Sequence, residues 1–281
     1  MNYGAPMDAH EARTATQAAI SSASQLGLTV VDARVLHNSN KLTLHLRPCD
    51  VVARVAPVAH QGAQFEVDVA QRLAEVRSPV AALESPEVFV QGDYTVTFWT
   101  YYEPVTTHPI PGADYAGALE RLHAGMRTVD LATSHFMDRV SEAHTLVADP
   151  ARTPELSDAD RAFLAGTLHR LGRAVGESGR PEQVLHGEPH PGNLVSTRTG
   201  PLFIDFETCC RGPIEFDLAH APDEVAAHYP GVDHQLLRDC RTLTLAIITA
   251  WRWDRADQLP DGHRLGVEWL SQLRTATAQA R

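Results

Sequence analysis

Short runs in which apolar and polar residues alternate dominate the first hundred positions, and longer runs with apolar residues every three or four positions dominate the rest. Residues 42–46 alternate, 51–55 follow a Pro48-Cys49-Asp50 turn, and 94–102 are rich in Thr and aromatics. These three runs predict strands of an antiparallel sheet. One helix is predicted among them over 63–77, where Phe65, Val69, Leu73 and Val76 share a face and Ser78-Pro79 ends it. Past residue 103 the period is helical. Residues 115–126 carry Leu119, Leu122 and Met126, and Ser157 caps a stripe of Leu164, Leu168, Leu171 and Val175. Further helices are predicted over 236–253 and 265–277. Two β runs, 194–196 and 202–205, flank Thr199-Gly200 and predict a hairpin inside this helical half. The expectation is an α+β chain of two lobes: a small antiparallel β-rich lobe over 1–103 and a larger, mainly helical lobe over 104–281.

Chemistry concentrates near that hairpin. Residues 184–193 read VLHGEPHPGN and 203–207 read FIDFE. A carboxylate at Glu188, an amide five residues on at Asn193 and a second carboxylate at Asp205 are the set that phosphoryl transfer requires: a group to orient a hydroxyl and take its proton, and two oxygen ligands for magnesium. His186 and His190 are four apart, but Gly187, Pro189 and Pro191 deny the helix that would point both at one zinc ion.

These strings resemble the H-G-D-x-x-x-x-N and I-D-[FW] motifs of the aminoglycoside phosphotransferase family, which also includes choline and homoserine kinases. RGPIEFDLA, at 211–219, is similar to that family's R-G-x-x-x-x-D-L-A segment. The resemblance implies a two-lobed, protein-kinase-like fold and transfer of the γ-phosphate of ATP or GTP, with Mg2+, to a hydroxyl. It implies Glu188 as base, Asn193 and Asp205 as metal ligands, and His186 and Asp217 as supports of the catalytic loop. The usual base of the family is Asp; a Glu on an unchanged backbone reaches about 1.5 Å further. In the first lobe Arg54 stands where many relatives carry Lys, with Glu66 its expected partner from the outward, polar side of the 63–77 helix. Asn38, Ser39 and Lys41 lie in a turn that would cover the phosphates, Lys41 being the rival to Arg54. Thr100, Tyr101 and Tyr102 are expected to link the lobes and to border the purine.

Charge narrows the acceptor. The 281 residues carry a formal charge of −11, which disfavours a nucleic-acid partner. No run approaches the ~20 apolar residues of a membrane helix, and residues 1–13 do not read as an export signal. The four cysteines lack disulfide or zinc spacing, so reduced thiols in a cytoplasm are expected; a monomer or homodimer is the expected state. By resemblance the acceptor is a hydroxyl-bearing cationic antibiotic, an aminoglycoside or basic peptide, and the chain a resistance enzyme. Asp223, Glu224, Asp254 and Asp257 are the candidate contacts. A metabolite kinase and a catalytically weak nucleotide-binding scaffold are the alternatives.

Overall fold

A computed structural model describes residues 6–103, 105 and 109–279. They form two compact units, and the chain passes between them more than once.

The first unit comprises residues 6–131 with 192–208. It opens with α1 (Ala9–Gln25), started by a capping box in which Asp8 takes the backbone N–H groups of His10 and Glu11 and Glu11 returns to Asp8. Strands β1 (Val30–Asn38), β2 (Leu42–Pro48), β3 (Val51–Pro57), β4 (Leu83–Gln91) and β5 (Tyr94–Thr100) form one antiparallel sheet in the order β1-β2-β3-β5-β4. The even positions of β2 (Leu42, Leu44, Leu46) and the odd positions of β3 (Val51, Ala53, Val55) bury against Ala15, Ala18, Ala19 and Ala23 of α1. Small side chains let the helix lie close to the sheet. The opposite face carries Thr43, which pairs with Arg54. Helix α2 (Ala63–Glu75) follows β3, and α3 (Gly112–Met126) packs on the hairpin β8 (Leu194–Thr197) and β9 (Gly200–Phe203). Phe203 sits beside Tyr115 of α3 and exchanges backbone bonds with Pro79 and Ala81.

The second unit comprises 132–191 with 209–279. Its core is built by α4 (Phe136–Ala148), α5 (Asp158–Gly176), α8 (His234–Trp251) and α9 (Gly262–Gln279), through Val140, Leu164, Leu168, Leu171, Leu243 and Leu273 among others. A small sheet, β6 (Ser134–His135), β10 (Cys210–Gly212) and β7 (Gln183–Leu185), leads into the short helices α6 (Ile214–Leu218) and α7 (Asp223–His228). Ser157 caps α5 by accepting the Asp160 N–H. No described helix is long and apolar enough to cross a membrane.

Several bounds differ from the sequence expectation. The last sheet strand stops at Thr100 rather than 102, and the helix after β3 stops at Glu75. Val76, expected on its apolar face, is exposed, while Glu66 takes a buried place one turn before Val69, Ala70 and Leu73. The expectation of an outward Glu66 is therefore corrected: it sits inside because two cations compensate it there.

Candidate active site

In the first unit five charged side chains converge. Arg54, from β3 in the middle of the sheet, hydrogen-bonds Glu66 Oε1 and lies 3.1 Å from Asp205 Oδ2. Lys41, just before β2, places Nζ 2.5 Å from Glu207 Oε2, 3.7 Å from Asp205 Oδ1 and 4.0 Å from Glu66 Oε2. The rivals Arg54 and Lys41 thus both reach the same carboxylates. Lys41 and Glu66 side chains are 8% and 3% exposed, so their charges are weakly screened and each depends on the others. Burial opposes the Arg54 charge, but Glu66, Asp205 and Glu207 outweigh it and raise its pKa above the ordinary value. Burial raises the Glu66 carboxyl against the pull of Arg54 and Lys41. For Glu207 burial is outweighed by His60, Lys41 and Arg54, which hold its carboxyl below the usual range.

The backbone aims these groups. Asp205, just past β9, adopts φ +67°, a left-handed conformation that Asp tolerates better than most residues. The Ile204 N–H donates to the Asn193 carbonyl at 3.0 Å, fixing the Pro191–Asn193 turn beside the segment that bears Asp205. The Glu207 side chain lies against Gly62, just before α2, and accepts from His60 at 3.0 Å. A Cβ on Gly62 would come within 2.6 Å of Glu207 Oε1, so a larger residue there would have to push the Glu207 side chain aside. Glu207 and His60 were not singled out from the sequence, although Glu207 ends the FIDFE string and Gly62 precedes the helix.

The other first-unit candidates are engaged with their own chain. The Asn38 amide bonds both the N–H and the carbonyl of Met7 at 2.9 Å, and the Ser39 hydroxyl bonds Asn40. The N–H groups of Thr100 and Tyr101 donate to the carbonyls of Ala82 and Asp50, Tyr102 Oη accepts the Ala82 N–H, and the Tyr101 ring stacks on His45 at 3.6 Å.

In the second unit, buried Asp217 on α6 accepts the His186 N–H at 2.9 Å and the Gly187 N–H at 2.8 Å. Gly187 turns at φ +88°, a glycine conformation, and the Glu188 N–H reaches His186 Nδ1 at 3.4 Å. Asp217 therefore shapes the turn that presents Glu188, itself 8% exposed. Asp254 pairs with Arg152, and Asp257 lies 3.2 Å from Arg252, both carboxylates buried. Asp223 stays exposed while touching Arg241 at 2.9 Å, and Glu224 beside it is exposed.

A carboxylate at Asp205 and an amide oxygen at Asn193 are donors of the hard type that a divalent ion takes. Three carboxylates against two cations leave the first-unit cluster with negative charge to spare, and no three His, Cys, Asp or Glu among the described residues are arranged to hold a metal by themselves. That donor set suits an ion completed by phosphate and water.

The profile of the phosphotransferase enzyme family (APH) matches residues 34–259. No curated protein sequence matches the chain. Among solved structures, an amicoumacin kinase in complex with AMP-PNP, Ca2+ and its ligand is similar with a TM-score of 0.71 at 11% identity, over 96% of each chain. A choline/ethanolamine kinase family protein from Mesorhizobium loti gives 0.73 at 13% identity over 94% of each chain. The GDP complex of an aminoglycoside 2'-phosphotransferase gives 0.69 at 12% identity over 93% of this chain and 98% of that one. The chain belongs to the phosphotransferase enzyme family, has the α+β protein-kinase-like fold, and is a nucleotide-dependent phosphotransferase acting on hydroxyl groups.

Proposed function

We propose that the chain transfers the γ-phosphate of ATP or GTP, with Mg2+, to a hydroxyl of a cationic antibiotic of aminoglycoside or basic-peptide type, and so confers resistance in the cytoplasm. The observation that carries the nucleotide half is the meeting of buried Lys41 and Glu66 with half-buried Arg54, Asp205 and Glu207. Such a cluster would give a phosphate chain two cations and a metal one carboxylate, Asp205, with Asn193 as the second oxygen ligand in this reading. Mg2+ would neutralise charge developing on the transferred group. In this reading Arg54, held by Glu66, and Lys41 grip the phosphates, while the 38–41 turn and the 100–102 segment border the nucleotide. Glu188 orients the attacking hydroxyl and takes its proton at the carboxylate, with Asp217 and His186 keeping the loop in place. Transfer is direct and in line, with no phosphoenzyme.

For the acceptor, the exposed pair Asp223 and Glu224 and the overall charge of −11 favour a cation. Asp254 and Asp257, committed to Arg152 and Arg252, serve better as supports of the loop after α8 than as contacts. The choline/ethanolamine kinase likeness supports a second reading, an amino-alcohol kinase, which also takes a cation. The test is phosphate incorporation from ATP or GTP, with and without Mg2+, into kanamycin, amicoumacin, choline, ethanolamine, neutral sugars and nucleosides. Product from kanamycin or amicoumacin is expected; product from choline or ethanolamine alone selects the second reading, and turnover of neutral acceptors alone removes both.

A further inference from the structure

One half-buried cation lies near the proposed base and has no part in the reading so far. Arg139 lies on α4, a helix anchored by Phe136, Val140, Ala143 and Val147 in the second unit's core. Its Nη1 donates to the Gly187 carbonyl at 3.1 Å and lies 3.9 Å from Glu188 Oε1. The two side chains are 15% and 10% exposed, so little water screens them. The turn is thereby gripped from two sides: Asp217 takes the N–H groups of 186 and 187, and Arg139 takes the carbonyl of 187. A Glu at 188 reaches about 1.5 Å further than an Asp on the same backbone. A cation beside its carboxylate, fixed to the same turn, can draw that extra length back.

We infer that Arg139 is a positioning residue that holds the longer Glu188 side chain where a shorter base would otherwise stand, so that residues 139 and 188 work as one pair. This rests on the proposal that Glu188 is the base. The groups around the pair are His186 and His190 on the loop, Asp138 on α4, Cys210 on β10, Asp217 on α6 and His220 after it.

The test has two arms. In the first, the intact enzyme carries 13C in its glutamate side-chain carboxyls, and the Glu188 resonance is assigned by its loss in Glu188→Gln. At fixed pH that resonance is expected to move in Arg139→Met and to return toward its original position in Arg139→Lys. In the second, kcat is followed with whichever of kanamycin, amicoumacin, choline or ethanolamine gives most product. Arg139→Met is expected to lower kcat by about 10- to 100-fold with KM for nucleotide unchanged, as a misplacement near 1 Å does. Arg139→Lys should recover part of the loss. In a Glu188→Asp background the loss should shrink to less than about threefold, because the shorter carboxylate lies beyond the guanidinium's reach. Melting curves establish that each variant is folded, and Arg139→Gln, which keeps a polar side chain without the charge, carries the test if Arg139→Met is not. An unmoved resonance, an unchanged kcat in folded Arg139→Met, or equal losses in both backgrounds would overturn the inference. Full turnover by Glu188→Gln would instead remove the base assignment. Absence of product from all four acceptors would count against the functional reading, and the resonance would still decide the pairing.

Discussion

Lys41 is the single lysine in a chain otherwise supplied with arginine, and it is buried against three carboxylates. An ammonium is a compact point charge that can serve several oxygens at once, whereas Arg54 presents a planar fork to Glu66 and Asp205. Removing one member of such a set leaves buried charge uncompensated, so effects should exceed those of surface pairs. Asp205→Ala is expected to abolish most of the Mg2+-dependent gain in affinity for a nonhydrolysable nucleotide in calorimetric titration. Retention of that gain in a folded variant would take Asp205 out of the metal site. Gly62→Ala should cost about 1–3 kcal/mol in denaturant unfolding, because the added methyl meets the Glu207 carboxylate. Combining it with Glu207→Ala should recover part of that loss; strictly additive losses would show that the crowding is elsewhere. Glu188→Gln should keep fold and nucleotide binding and lose about 100- to 10,000-fold in transfer, the usual contribution of a placed base.

Elements built on a regular period were readable, and those built on small or mixed residues were not. The stripe Leu164, Leu168, Leu171 and Val175 is buried in α5 as its spacing predicts. Leu168→Ala should cost about 2–5 kcal/mol, measured by chemical unfolding; a loss below ~1 kcal/mol would mean that the site collapses around the gap. Helix α1 went unseen because its buried face is alanine, which marks no apolar stripe, although Asp8 and Glu11 spell a capping box. Helix α4 was also missed, and with it Arg139, since nothing in the motif string reaches back to residue 139. Around the candidate site the carboxylates of the motifs were legible because they are local in sequence. The convergence of Lys41, His60 and Glu207 was not, since hydrogen bonds and ion pairs across more than a hundred residues leave no periodic trace. The inward turn of Glu66 could have been found: it precedes Val69, Ala70 and Leu73 by three, four and seven positions.

At the scale of the whole molecule, acid should be felt through His220. Burial, with Arg139 acting in the same sense, pushes its pKa down to about 3, while Asp217 opposes and the neighbouring His190 and His186 add to the depression. Its Nε2 is buried without a hydrogen-bond partner among the described residues. The unfolded chain takes up a proton at this position below about pH 6.5, whereas the folded one stays neutral, so unfolding binds a proton and stability falls as pH drops from 6.5 toward 3. One such group contributes a slope of up to about 1.4 kcal/mol per pH unit. Urea unfolding of the wild type and of His220→Gln over this window is expected to differ in slope by that order; parallel profiles would mean that His220 takes up its proton in the folded protein as readily as in the unfolded chain. Acceptor affinity, if carried by exposed Asp223 and Glu224, should weaken as salt rises to ~0.5 M, and indifference to salt would assign recognition to other groups.

The threading of the chain through its two units limits where it can be cut. Residues 192–208 belong with 6–131, although they come after 132–191 in the sequence. A fragment ending near 131 would therefore lack the hairpin that covers α3 and two of the three carboxylates that neutralise Lys41 and Arg54, Asp205 and Glu207. The complementary fragment would carry that hairpin with nothing to pack it against. Halves produced separately should each be insoluble and should recover phosphotransfer only when synthesised together. A permuted chain opened between Thr199, which is exposed, and Gly200 would place its new ends at a turn, yet it would leave β8 and β9 at opposite ends of the chain, to pair again only on the first unit.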